Sequence, residues 1–388
     1  MKKTIAALCA LAACSAAQAQ SNVTVYGDLD EYIGYIHSNS GKSITGLNDG
    51  TSLRSRWGFK GMEDLGNGLQ AKFQLEGGLN ADTGTAADAS SATSSGRLFD
   101  RQAWVGIAAA FGEFRIGRQN TEIFGIGDYI DYTSRTTFGS IVNTFGVPSR
   151  FDNDLSFKIN RINGFQAAAH LALAEIAGGG LSRQAIYQLA LDYNNGPYRL
   201  GYAGLAAKPA LTGTVLNKVQ YHNVYADYDY GMGKVYLVYV RSNNNTSNAN
   251  GATAGTILGN VSSYNTTAGA AANGNLFAGT DVNARRFFNI YQLSADYRVS
   301  QQLRVGALYG KIVDESSAGN AGAKGGNVGA YYDLSKRTTL YGFANYMKND
   351  SGAGFRFSGS AGPSANLAGA DINAHTLTGF QTGIIHRF

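Results

Sequence analysis

Apolar and polar side chains alternate residue by residue along most of this chain. From Leu69 to Gly78, Ala71, Phe73 and Leu75 fall on one face, and Lys72, Gln74 and Glu76 on the other. A period of two is that of an extended strand with one face in apolar surroundings and the other in water. The same pattern sets Leu53, Trp57 and Phe59 against Arg54, Arg56 and Lys60. It sets Leu155, Phe157 and Ile159 against Ser156, Lys158 and Asn160, and Val328, Ala330 and Tyr332 against Asn327, Gly329 and Asp333. Two segments, Lys234 to Arg241 and Thr339 to Met347, carry large apolar residues on both faces and are assigned as strands by position. Sixteen strands are predicted, near 23–36, 52–61, 69–78, 98–107, 112–118, 153–160, 164–173, 185–193, 197–207, 219–229, 233–241, 285–298, 302–312, 326–334, 338–347 and 375–387. An even number returns both termini to one side.

The amino end places these strands. Lys2 and Lys3, the short apolar stretch Ile5 to Ala13 and Ala17-Gln18-Ala19 read as an export signal over 1–19, cleaved near Ala19, leaving 20–388 as a single domain. A competing reading takes Leu11-Ala12-Ala13-Cys14 as a lipoprotein box, but alternation begins at Val23 with no tether after the cysteine. Cys9 and Cys14 both lie in the leader, so disulfides, thiolate catalysis and cysteine-ligated metal are not expected. After the leader no apolar run reaches the ~18 residues a spanning helix needs. The other structure that satisfies every backbone group in lipid is a closed barrel.

Composition agrees: Gly 51, Tyr 23 and Phe 19 against Pro 4 suit many strands, tight turns and aromatic girdles. A mean hydropathy of −0.17 is no objection, since half of each barrel strand faces water. A large secreted β-sandwich or solenoid would share the Gly and Tyr content. The final segment, Gly379 to Phe388, alternates to a terminal aromatic, as the closing strand of an outer-membrane barrel does.

The connections alternate in length. Met62 to Gly68, Ala108 to Phe111, Asn194 to Gly196, Tyr230 to Met232 and Ser335 to Arg337 are short and read as periplasmic turns. The others are long, and the Asn, Ser, Gly and Ala tract from Ser242 to Gly279 reads as solvated extracellular loop. Gln119 to Arg150 differs, for it holds Phe124, Ile126, Tyr129, Ile130, Phe138, Ile141, Val142 and Phe145. At about 1.5–3 kcal/mol per large apolar side chain buried, this segment should fold against something. With the outer wall committed to lipid, the inner wall is the surface left, and the third loop is expected to narrow the lumen; an external cap or subunit contact is the other possibility. Its acids Glu122, Asp128 and Asp131 would then face Arg56 on the second strand, Arg101 near the top of the fourth and Arg150 at the start of the sixth. Arg101 shares parity with Ala103 and Val105, so it should sit beyond the lipid band. Acids opposite arginines would set a transverse field across an aqueous passage.

Other chemistry finds little support. The histidines His37, His170, His222, His375 and His386 are scattered, with no spacing that suggests a catalytic triad. Asp152-Asn153-Asp154 reads as a solvated strand entry rather than a calcium site. Without Lys2 and Lys3, 30 basic residues face 27 acidic ones, a net +3, too dispersed for a nucleic-acid surface. No cofactor and no metal are expected. A substrate-selective channel or a barrel adhesin is the alternative to an open channel.

Several linked motifs are familiar together: Val23-Thr-Val-Tyr-Gly27, Ser55-Arg-Trp-Gly-Phe-Lys-Gly61 followed by Glu63-Asp-Leu-Gly66, Arg101-Gln-Ala-Trp-Val-Gly106, Phe111-Gly-Glu-Phe-Arg-Ile-Gly-Arg118 and Gly383-Ile-Ile-His-Arg-Phe388. In this order the mature chain resembles the general porins of β-proteobacteria. The resemblance implies an all-β fold, a 16-stranded antiparallel transmembrane barrel with the third loop folded into the lumen. It implies a homotrimer in outer-membrane lipid, passive diffusion of ions and small hydrophilic solutes, and an eyelet arginine cluster that Arg56, Arg101 and Arg150 match by position. Those arginines, offset by the loop acids, lead to an expectation of mild anion selectivity. The chain departs from the pattern in lacking a strongly acidic loop tip and in carrying Trp57 and Trp104.

Overall fold

The computed structural model describes residues 22–50, 52, 54–86, 97–136, 139–173, 185–207, 219–243, 287–315, 319, 321–357, 367 and 369–388. The export signal with Cys9 and Cys14, Leu53, Phe138 and most of the Ser242–Gly279 tract lie outside the described residues.

Alternation produces β1 (Asn22–Ser38), β2 (Ser43–Asp49), β3 (Arg56–Gly66), β4 (Leu69–Asn80), β5 (Thr85–Ala86), β6 (Gln102–Ala109), β7 (Gly112–Asn120), β8 (Arg150–Ile159) and β9 (Phe165–Ala172). It continues through β10 (Ile186–Asn195), β11 (Tyr198–Ala207), β12 (Val219–Asp229), β13 (Lys234–Ser242), β14 (Phe288–Arg298), β15 (Leu303–Asp314), β16 (Ala323–Asp333), β17 (Thr338–Asn349) and β18 (Thr376–Arg387). Neighbours pair antiparallel, and β1 pairs with β18 on one side and with β2 and β3 on the other, so the sheet closes. β5 only extends β4, and β2 and β3 share one place in the wall, so eighteen ladder segments make sixteen wall strands. Closure satisfies the backbone without an edge, which lipid demands.

Where strand bounds differ from expectation, the cause is local. The segment expected at 52–61 is interrupted: the chain leaves β2 at Gly50, with φ 74°, and rejoins the ladder at Arg56. Asp30 of β1 bridges the gap. Its carbonyl accepts from the Gly50 amide at 2.7 Å, and its carboxylate accepts from the Ser52 amide at 2.8 Å and the Tyr341 hydroxyl at 2.6 Å. At the other end β3 runs on to Gly66, because Asn67 and Gly68, both at positive φ, form a tighter turn than expected.

Outward positions such as Tyr291, Leu293, Tyr309 and Val328 are half exposed or more, while Gln292, Leu308 and Asn327 beside them are buried on the inner face. The two segments with apolar residues on both faces are explained by what covers them. Val238 and Val240 of β13 and Phe343 and Met347 of β17 join an inner core with Phe145, Phe288, Phe355 and Phe357.

Candidate functional site

Between β7 and β8 the chain turns back against inward-facing side chains. Thr121 caps a helical turn, Glu122–Gly125, by accepting from the Phe124 amide at 2.9 Å; a 3-10 turn, Ile126–Tyr129, and a second helical turn, Ile141–Phe145, follow. Ile123, Ile126, Ile130, Tyr132, Ile141, Val142 and Phe145 are all buried. Phe145 meets Phe288 at 5.5 Å between ring centres, and Tyr132 meets Phe343 at 6.2 Å.

One side chain of β14 holds two parts of this segment. The Gln292 carbonyl accepts from the Ile141 and Val142 amides at 2.8 and 3.1 Å, capping the second turn. Its amide donates to Asp131 at 3.0 Å and to the Ile130 carbonyl at 3.3 Å. Nearby, the Tyr132 amide donates to Ser294 Oγ at 3.1 Å and its hydroxyl to Asn327 at 2.6 Å. β15 makes room with glycine: a methyl at Gly306 would overlap the Tyr132 ring, and one at Gly310 would come within 2.9 Å of Ile141.

The three loop acids have separate fates. Asp131, expected to face the lumen, is only 1% exposed. Its carboxylate accepts from the Thr133 and Arg135 amides at 3.0 and 2.9 Å and from the Ser140 hydroxyl at 2.8 Å, so it ties the loop to itself. Glu122 is bound to the wall by Lys158 at 2.9 Å and by His170 at 3.5 Å, and His170 in turn binds Asp154 at 2.7 Å. Burial pushes the Glu122 carboxyl up, but the bonds from His170 and Lys158 outweigh it and hold it at about 2. Asp128 alone is exposed.

Among the described residues, hydrogen bonds from the loop to the wall reach β8, β9, β14, β15 and β16. Tyr129 adds contacts to β11 and β12, with Arg199 3.2 Å over its ring and Tyr225 stacked at 6.4 Å. The arginines come from β3, from just before β6 and from the start of β8. Arg56 pairs with Asp28 at 2.9 Å and Arg101 with Glu76 at 2.7 Å. Arg101 lies one residue before β6, so strand parity does not govern it, and it turns inward to 3% exposure. Arg150 sits 4.6 Å over the Phe124 ring, which Arg135 also covers at 4.0 Å. Burial is the main influence on Arg135 and holds its guanidinium at about 10, so it stays charged at neutral pH. Arg101, Arg118 and Arg56 lie close enough for their charges to act on Arg150. Arg150 Nε and Nη2 have no hydrogen-bond partner among the described residues.

Sequence reasoning missed Asp28, Glu76, Arg135 and Gln292. The acids Asp28 and Glu76 carried a readable signal, since both occupy inward positions beside an arginine strand. Asp152 and Asp154, the pair weighed for calcium, are divided between Arg118 and His170.

Residues 4–352 match the family model described as Gram-negative porin. The chain belongs to the Gram-negative porin family. It is 29% identical over 388 residues to an outer membrane porin protein of Bordetella pertussis, covering 90% of this porin and 95% of that one. It is 28% identical over 408 residues to outer membrane porin protein 32 of Delftia acidovorans, end to end in both chains. Among solved structures, an anion-selective porin from Comamonas acidovorans superposes at TM-score 0.73 with 24% identity, over 95% of this chain and all of that one. The trimer form of OmpT from Vibrio cholerae superposes at TM-score 0.60 with 14% identity, over 95% and 99% of the two chains. This porin is an outer-membrane protein.

Proposed function

We propose that the barrel is a water-filled channel for passive diffusion of ions and small hydrophilic solutes, with mild anion preference. The loop from Thr121 to Ser149 would narrow it, and the passage would run between that loop and Arg56, Arg101 and Arg150. The observation that carries this reading is the uneven matching of charge. Glu122 and Asp131 are taken up in internal bonds, which leaves Asp128 as the open loop acid, whereas Arg150 keeps donors unused. The anion-selective solved relative supports the same sign. Zero-current potential of purified protein in a planar bilayer under a salt gradient tests it: the sign should report anions, and Arg56→Glu should move it toward cations. A cation-selective sign in the unaltered protein would refute the preference.

Residues 1–19 would be removed on export. A homotrimer is supported by the trimeric form of the Vibrio relative and by the outer face of β1. There Glu31 stands between Leu29 and Ile33, its carboxylate oxygens covered and without a hydrogen-bond partner among the described residues. A charge in that position is costly against lipid and is better placed at a subunit contact. Conductance of the unheated oligomer should rise in groups of three steps; single steps only would refute the trimer.

A further inference from the structure

On the outward face at the long-loop end of the barrel, Lys311 of β15 stands opposite Lys324 of β16, and Lys324 opposite Lys348 of β17. All three side chains are exposed, and they share parity with Tyr309, Val328 and Tyr346 in the lipid-facing band. Directly opposed like charges destabilise an antiparallel sheet, their Cβ atoms being about 4.5–5.5 Å apart. Among the described residues no carboxylate pairs with any of the three. Glu315, at the end of β15, is taken by Arg241 at 2.8 Å, and the Asp314 carboxylate accepts from the Ala321 amide at 3.1 Å. Among the described acids, those of β1 and β2 do not stand at this height. The outward acids Glu31 and Asp49 share a row with Ile384, whereas Lys348 stands opposite Thr376, eight positions further up β18 (384 − 376). That is about 26 Å of strand.

Tyr309 lies two residues below Lys311 and Tyr346 two below Lys348, and Tyr291 stands opposite Lys311 with its ring 5.3 Å from Tyr239. Such an aromatic belt marks the level of the lipid headgroups, so the ammonium groups emerge where headgroup phosphates lie. The row spans two interstrand spacings, roughly 10 Å, more than one phosphate covers. We propose that Lys311, Lys324 and Lys348 form a binding site for a phosphorylated glycolipid of the outer leaflet, the lysines contacting its phosphates and the tyrosines its sugar and acyl margin.

The test uses purified oligomer in detergent with lipid A as the probe, bound lipid being counted by native mass spectrometry. The unaltered protein should retain lipid A, and the combined Lys311→Gln, Lys324→Gln, Lys348→Gln variant should bind it roughly a hundredfold more weakly, at about a factor of five per lysine. Dephosphorylated lipid A should bind as weakly to the unaltered protein, and inorganic phosphate should not displace lipid A. The lysines lie outside the lumen, so unchanged single-channel conductance shows that the variant is folded; if it does not fold, Lys324→Gln alone should show the fivefold loss. Undiminished lipid A binding by a folded variant would overturn the proposal. So would displacement by inorganic phosphate, or loss of the oligomer in lipid-free detergent, which would assign the row to a subunit contact.

Discussion

The inner wall has two halves that obey one alternation and carry opposite chemistry. Under the third loop, β14 to β16 present Gln292, Ser294, Gly306, Gly310 and Asn327, all neutral, and each bonds to the loop or leaves it space, while the charged Arg304 is held between the Tyr132 carbonyl at 3.0 Å and Asp296 at 3.5 Å. Across the barrel, the same inward parity presents Asp28, Arg56 and Glu76, joined by Arg101 and Arg150. A position covered by protein must be neutral or have its charge paired, since a buried unpaired charge costs several kcal/mol, and Glu76 and Arg101, each 3% exposed, meet that condition by pairing with one another. Asp131 shows the rule in reverse, being a loop acid tolerated under cover because five donors surround it.

The sharpest way to break the contrast is to loosen the covered half. Gln292→Leu removes five hydrogen bonds and leaves the Ile141 and Val142 amides buried without an acceptor, a loss of about 4 kcal/mol of loop anchoring at 1–3 kcal/mol per orphaned group. Single-channel conductance should rise and become noisy, and the loop should become open to protease in the folded barrel; unchanged records would mean that β14 does not hold it. A somewhat smaller effect is expected where the loop leaves β7. Because the Glu122 carboxyl titrates below its ordinary 4.5, its contribution is complete above that pH and disappears as pH falls toward about 2. The contribution is on the order of 3 kcal/mol. Conductance traced from pH 7 to 2 should therefore stay steady down to about 4.5 before the loop loosens, while Glu122→Gln should behave at neutral pH like the acid form. Smallest is Phe124→Leu, which removes the ring shared by Arg135 and Arg150, at about 1 kcal/mol for each stack. Its zero-current potential should move less than that of Arg56→Glu; an equal shift would show that the stacking sets the position of the charged wall.

Much of this was readable from the chain alone. A period of two is a local property, so strand number, facing and the order of short and long connections followed from neighbouring residues. The apolar load of the third loop likewise announced that it must be covered. The untidy patterns of Lys234–Arg241 and Thr339–Met347 were informative too, for an inner face turns apolar where protein replaces water against it.

What the linear pattern could not convey depends on closure. Gln292 meets Ile141 across 151 residues, and Tyr132 meets Asn327 across 195, pairings that exist only once the sheet has joined β1 to β18. The break before Arg56 needs Asp30 from the adjacent strand, and the inward turn of Arg101 arises because it precedes the first paired residue of β6. Alternation therefore settled which residues touch lipid and which look inward. Whether an inward residue meets water, a counter-ion or the returning loop was decided by the tertiary fold, because that depends on atoms supplied from far along the chain.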